Sequence, residues 1–245
     1  YNGRIEILCE RTLRPSDPAR GVDAPLRDAF GEVENIRPGE VPAATTHATL
    51  LPVVRVRAGV DATFETGAGL IHSIDERETF VVVADRDGPR VADSTLQELV
   101  DANLARTVEL DEGTLGEQFD SHEVRRFGQT QTEYKRWAVD RLRTTHTSTV
   151  QYTGDNNVTY TKTCEPSRSD ISVQAVDAVY LPRVRAVTSL GDYEYSYTCD
   201  VAGPAHRTVE NGVRPCVHCG DATDSTYTHR PNCRSSNCPD HPQPH

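Results

Sequence analysis

Residues 50–60 read LLPVVRVRAGV, and this stretch decides the fold class. Val53, Arg55 and Arg57 alternate with Val54, Val56 and Ala58. A period of two is the mark of a half-buried β-strand. Toward the C-terminus, Thr63 to Thr66 and Gly69 to Ile74 read as weaker strands around Gly67 and Gly69. Thr79 to Ala84 is a short β-branched run, which Asp87-Gly88-Pro89 ends with turn chemistry. From Thr147 onward the period is again two. Thr149 to Thr153 and Val158 to Cys164 flank Gly154-Asp155-Asn156-Asn157, a hairpin signature with a slightly long loop. Ile171 to Tyr180, Arg183 to Thr188 and Tyr193 to Cys199 continue the β character, and Tyr193, Tyr195, Tyr197 and Cys199 share one face.

Two helices interrupt the strands. Ser94 stands three residues before Gln97, a capping-box spacing, and Leu96, Leu99, Val100 and Leu104 then form one apolar stripe. Thr130 and Glu133 repeat the spacing ahead of Tyr134, Trp137, Ala138 and Leu142. The only tryptophan thus lies on a helix and reads as its anchor. No βαβ rhythm is present, so a doubly wound parallel sheet is not expected. The expected fold is α+β and β-rich: antiparallel β domains, two short amphipathic helices and a small C-terminal Cys/His metal-binding module.

Three domains follow from the composition shifts. Residues 1–128 read as an N-terminal α+β domain. It opens with a strand at Arg4 to Cys9 and contains an extended segment, about 11–46, with Pro15, Pro18, Pro25, Pro38 and Pro42. That segment has room for one short helix, around Leu26 to Phe30. Residues 129–200 read as a helix plus an antiparallel β domain. Residues 201–245 read as a zinc-finger-like module, since a stretch so poor in bulky aliphatics needs a staple to fold.

The chain has 245 residues and a formal net charge of −11. No stretch approaches the roughly 20 apolar residues of a spanning helix. Ile5 to Cys9 is short and broken by Glu6, so no signal-peptide apolar region is expected. Lys135 and Lys162 are the only lysines, and methionine is missing from a chain that begins at Tyr1. The first fact points to a GC-rich genome; the second suggests that an initiator or longer leader is not part of this chain. Acidic, lysine-poor usage resembles proteins of halophilic archaea and their viruses, where salt screens charge over only ~3 Å at 1 M. An ordinary acidic protein of a high-GC bacterium or its phage is the alternative. The densest basic cluster, Arg125, Arg126, Lys135, Arg136, Arg141 and Arg143, is interspersed with Glu123, Glu133 and Asp140. It reads as a mixed solvated face, and nucleic acid is not an expected partner.

The sharpest motif lies near the C-terminus. Cys216-x2-Cys219 is followed, after thirteen residues, by Cys233-x4-Cys238. A Cys-x2-Cys knuckle brings two thiolates to one ion, and a second pair closes a tetrahedron. The expected metal is zinc on Cys216, Cys219, Cys233 and Cys238, with His229 as a variant ligand in place of Cys233 or Cys238. An iron–sulfur cluster uses the same four thiolates, and a disulfide framework would suit an oxidising compartment. Of the other cysteines, Cys164 and Cys199 end predicted strands and read either as a disulfide or as two buried thiols. Cys9 reads as a small core residue.

Complete catalytic constellations are not found. Pro215-Cys216-x-x-Cys219 lacks the upstream half of a zinc deaminase signature. His122-Glu123 starts like a zincin motif, but Arg126 stands where the second histidine belongs. Asp85-x-Asp87-Gly88 reads as a turn rather than a calcium loop, and Gly67-Ala68-Gly69 as a bend. His72 and Asp75 read as surface residues beside a strand. Asn157-Val158-Thr159 is a glycosylation sequon that matters only outside the cell. No catalytic or cofactor-binding residue is therefore assigned.

The expectation is a non-enzymatic structural or assembly protein. It would be a metal-stapled subunit that meets other protein subunits as a homo- or hetero-oligomer in a large complex. Its concrete form is a virion component, in the tail, baseplate or capsid of a tailed virus of a halophilic or high-GC host. A cytoplasmic location is the alternative to the virion. Two further readings are a zinc-finger module binding protein or nucleic acid, and a metalloenzyme with an unrecognised site.

Overall fold

The computed structural model describes residues 9–15, 43–190, 193–203 and 205–213. Its strands are β1 (Arg11–Leu13), β2 (Thr45–Glu65), β3 (Ile71–Val83), β4 (Arg90–Val91), β5 (Thr107–Glu109) and β6 (Ser121–Val124). They continue with β7 (Ser148–Thr153), β8 (Thr159–Cys164), β9 (Ile171–Leu190), β10 (Tyr193–Ala202) and β11 (Ala205–Val213). The helices are α1 (Ser94–Asn103), α2 (Glu112–Gln118) and α3 (Gln131–Thr145). The fold is α+β and β-rich. The predicted strand at Arg4 to Cys9, but for Cys9 itself, lies outside the described residues. So do the short helix at Leu26 to Phe30 and the cysteine module from Arg214 onward.

Two compact units share the chain, and β2 and β9 contribute residues to both. The first holds Pro52–Gln97 and Arg126–Ala178. Here β2 and β3 form one long antiparallel hairpin, paired without interruption from Val53↔Val83 to Glu65↔Ile71. The weak strands expected at Thr63 and Gly69 are therefore the distal arms of two continuous strands. The sequence between them, Thr66 to Leu70, makes the turn: Gly69 adopts φ 75°, and its N–H donates to the Thr66 carbonyl (2.9 Å). Strand β4 covers only Val82 and Val83 of β3. Strands β7 and β8 form a separate two-stranded sheet, registered Ser148↔Cys164 to Thr153↔Thr159. Its loop spans 154–158, one residue beyond the predicted Gly154–Asn157, because β8 begins at Thr159 rather than Val158; Asn157 adopts φ 60°.

The core of this unit takes Val54, Val56, Ala58 and Val60 from β2, and Phe80, Val82 and Ala84 from β3 and its end. Helix α3 lays Tyr134, Ala138 and Leu142 on them, and Ile171 and Val176 complete the cluster. Each large apolar side chain so buried contributes about 1.5–3 kcal/mol. Trp137 is only half-buried, edge-on to Phe80 with Arg141 beside both rings. The fully buried anchor of α3 is Tyr134 instead.

The predicted cap of α3 is present. Thr130 Oγ1 accepts the Glu133 N–H (3.3 Å), and the Glu133 carboxylate accepts the Thr130 N–H (2.7 Å). That backbone N–H, with the Thr130 hydroxyl, holds the Glu133 carboxyl below its ordinary range. The cap contribution is therefore complete above that range and is lost as pH falls through the lowered value. Helix α1 starts one residue earlier than its spacing suggests. Asp93 Oδ1 accepts the Leu96 N–H (2.9 Å), while the Gln97 side chain donates to the Ala92 carbonyl (2.9 Å).

In the second unit, β9, β10 and β11 run antiparallel. The expectation of purely antiparallel sheets needs correction here. Strand β1 meets β9 in parallel at Thr12↔Tyr180, and β6 runs parallel to β2 from His47↔Ser121 to Leu50↔Val124. The sheet is mixed. Helix α2 was not foreseen, because Leu115 is its only buried residue. Asp111 caps it, accepting the Gly113 N–H (2.9 Å) and the Thr114 hydroxyl (2.9 Å). Cys9 is half-buried rather than a core residue.

One contact fixes where α3 begins. The Ala84 carbonyl accepts both the Gly128 N–H (2.9 Å) and the Tyr134 hydroxyl (2.7 Å). A Cβ at Gly128 would overlap the Asp85 carbonyl oxygen, a backbone atom that cannot rotate away. We predict that Gly128→Ala costs about 1–3 kcal/mol through overpacking, read as a lower urea midpoint with unchanged slope. Gly116→Ala, in α2 with open space around it, is the control and should stabilise by about 0.4–1 kcal/mol.

Candidate functional site

The predicted metal ligands Cys216, Cys219, Cys233 and Cys238, and the variant ligand His229, lie outside the described residues. Among the described residues no group of three or more His, Cys, Asp and Glu side chains is placed to hold a metal. Cys9, Cys164 and Cys199 are thiols outside any disulfide, the last two buried. Of the two readings for Cys164 and Cys199, the pair of buried thiols is the observed one. Burial, and secondarily the Asp200 carboxylate, pushes the Cys199 thiol up to about 12. It stays protonated at neutral pH and is a poor nucleophile.

Beside Cys199 lies a charged group that the sequence did not reveal. The register sets Arg183 of β9 and Arg207 of β11 opposite Asp200 of β10. Arg183 Nε and Nη2 donate to Asp200 Oδ1 and Oδ2 (2.7 and 3.1 Å), and Arg207 Nη1 donates to Oδ2 (3.2 Å). Asp200 is 0% exposed. Both carboxylate oxygens are used, so the row is a closed brace across three strands. A cleft of about 890 Å³ in the same unit is lined by Thr12, Arg14, Val108, Asp111, Thr114 and Gln118, among others. The Asp111 carboxyl is held below its ordinary range, first by the Thr114 hydroxyl and then by the Gly113 N–H. It is therefore committed to capping α2.

The histidine motifs do not assemble into catalytic groups. Asp75 ion-pairs with Arg77 (2.8 Å), and three residues along a strand put it on the opposite face from His72. His72 stacks on Phe64, with its Nε2 3.4 Å from Ser148 Oγ. His122 Nε2 lies 3.7 Å from Glu112. His146 pairs with Glu78 at 2.5 Å, just past the end of α3.

What the first unit does present is a partly apolar surface on two hairpins. Leu70 and Ile71, at the β2–β3 turn, are 59% and 70% exposed; Val158 and Tyr160, on the β7–β8 hairpin, are 49% and 40%. These are four of the six large hydrophobic residues left exposed among the described residues. The hairpins touch. Lys162 Nζ donates to the Glu65 carbonyl, and Tyr152 lies against Gly67. Tyr152 stacks on Tyr160 with centroids 5.7 Å apart, and Asn156 Nδ2 donates to the Tyr160 hydroxyl (2.6 Å). Charge patterning gave no hint of this surface; the only sequence signal was the run of Thr and Tyr between residues 147 and 164.

No family model, curated protein or solved structure matches the chain.

Two predictions concern the brace and its neighbour. Asp200→Asn leaves two guanidiniums against a neutral group. It should cost on the order of 3 kcal/mol, less than the ~5 of a fully dry pair, because both arginines keep some water. Thermal unfolding of the variant checks this. Cys199 should resist iodoacetamide at pH 8 in the folded protein and label fully in denaturant, as read by peptide mass mapping.

Proposed function

We propose that this chain is a non-enzymatic structural subunit that assembles with other protein subunits. The observation that carries the reading is the set of exposed apolar residues on two touching hairpins, Leu70 and Ile71 on one and Val158 and Tyr160 on the other. Exposed apolar residues scattered singly need no explanation, whereas a cluster on touching elements is the usual mark of a protein contact. The acidic balance of −11 supports a protein partner over nucleic acid. In the same reading, zinc on Cys216, Cys219, Cys233 and Cys238 staples the C-terminal segment. The lysine-poor acidic composition favours a particle component of a virus with a halophilic or high-GC host.

Elemental analysis and light scattering on the purified chain test both halves. We expect one zinc per chain, no visible absorption, and a mass several times 27.1 kDa. Cys216→Ser should lose the metal without unfolding the β-rich units. Iron with a visible chromophore would replace the staple with a redox centre. A monomeric mass at all concentrations would remove the assembly reading.

A further inference from the structure

Among the described residues, the open sheet edges of the first unit differ in kind. Among the described residues, strand β3 is unpaired on its outer side beyond the short β4, and it carries Asp75, Glu76, Arg77 and Glu78 in succession. Consecutive charges are a standard guard against strand addition. The β7–β8 sheet has no such guard. Among the described residues no third strand pairs with either of its strands. Strand β7 reads STVQYT and β8 reads TYTKTC: no proline, no glycine, no acid, and Lys162 as the only charge. Both have high β propensity. The outward row is Thr149, Gln151 and Thr153 opposite Thr163, Thr161 and Thr159, all exposed. A threonine hydroxyl is both donor and acceptor, so such a row is complementary to itself.

We infer that the open edge of β8 pairs antiparallel with β8 of a second copy of this chain, extending two hairpins into one four-stranded sheet about a two-fold axis. This rests on the assembly reading and names one of its contacts. The occupant follows from charge. Copies of a chain carrying −11 repel over most of their surface and can approach where charge is missing. Pairing centred on Thr161 is self-consistent on both faces. Thr161 faces its own equivalent, and Thr159 faces the second copy's Thr163. On the other face Tyr160 stands opposite the second copy's Lys162, twice, so no like charges face one another there. A contact in which each copy offers the same patch is the isologous arrangement of a two-fold dimer.

Charge at residue 161 tests the register in the full-length chain. Thr161→Lys and Thr161→Asp each place like charges opposite one another, and each should cut the light-scattering mass at least twofold at tens of micromolar. Mixing the two variants should restore it, because unlike charges then face across the axis; that rescue also shows that both variants fold. Thr149→Lys, on the same face but on β7, should leave the mass unchanged. An oligomer indifferent to both Thr161 variants would overturn the β8 pairing and leave the assembly reading standing. A monomeric wild-type chain would overturn both.

Discussion

Strand β2 sets the frame for the first unit because its burial changes along its length. From Leu50 to Val54 every residue is buried. From Val54 to Ala62 burial falls mainly on alternate residues, and by Glu65 the strand is solvated. At about 3.3 Å per residue, a 21-residue strand is far longer than any one apolar layer can cover. The register hands this gradient to β3. Phe80 to Val82 are buried opposite the buried end of β2, while Ile71 to Ser73 lie opposite its solvated end, Thr63 to Glu65. Helix α3 packs where the apolar alternation runs, over Val54 to Val60. The far hairpin end is left to β7 and β8.

The Ala84 carbonyl converts this gradient into a position for the helix. It is the first acceptor past the end of β3, and it takes two donors from the segment that opens α3. A buried carbonyl with both lone pairs used is a strong locator, since losing a donor exposes the full desolvation penalty of the group. Tyr134 carries this contact and the apolar contact together, which explains why it, and not Trp137, is the side chain buried to the limit. Trp137 sits at the rim, where Phe80 and Arg141 shelter it.

Much of this first unit was legible in the sequence. The alternation at residues 50–60, the Thr130–Glu133 cap and the Gly154–Asn157 loop are local signals, and each element stands where its signal lies. The misreadings have physical causes. Strand arms rich in Thr, Ser and Glu look like separate weak strands when the partner that extends them is unseen. Asp93 and Ser94 are both good caps, and the geometry of the Gln97 amide decided between them. Helix α2 has two glycines and one buried leucine, so no stripe announced it. The parallel contacts of β1 and β6 join very short strands to distant ones; Thr12 and Tyr180 are 168 residues apart. The Arg183–Asp200–Arg207 brace needs the register of three strands before it exists at all.

How this protein places its acids is a second physical theme. One carboxylate is taken fully inside and neutralised by two guanidiniums, an arrangement that costs desolvation and fixes register more than it adds stability. Others are spent at helix starts, as Asp93, Asp111 and Glu133 show, where the N-terminal N–H groups reward negative charge. Four charged residues in a row guard the edge of β3. The strands β7 and β8 are exempt: their twelve residues hold one lysine and no acid, and that lysine is turned to the Glu65 carbonyl. In a chain with 37 acids, a solvent-facing sheet without any is a departure from the surrounding chemistry. Solubility alone would favour charge there, and the pairing of two copies inferred above is a contact that this lack of acids would serve.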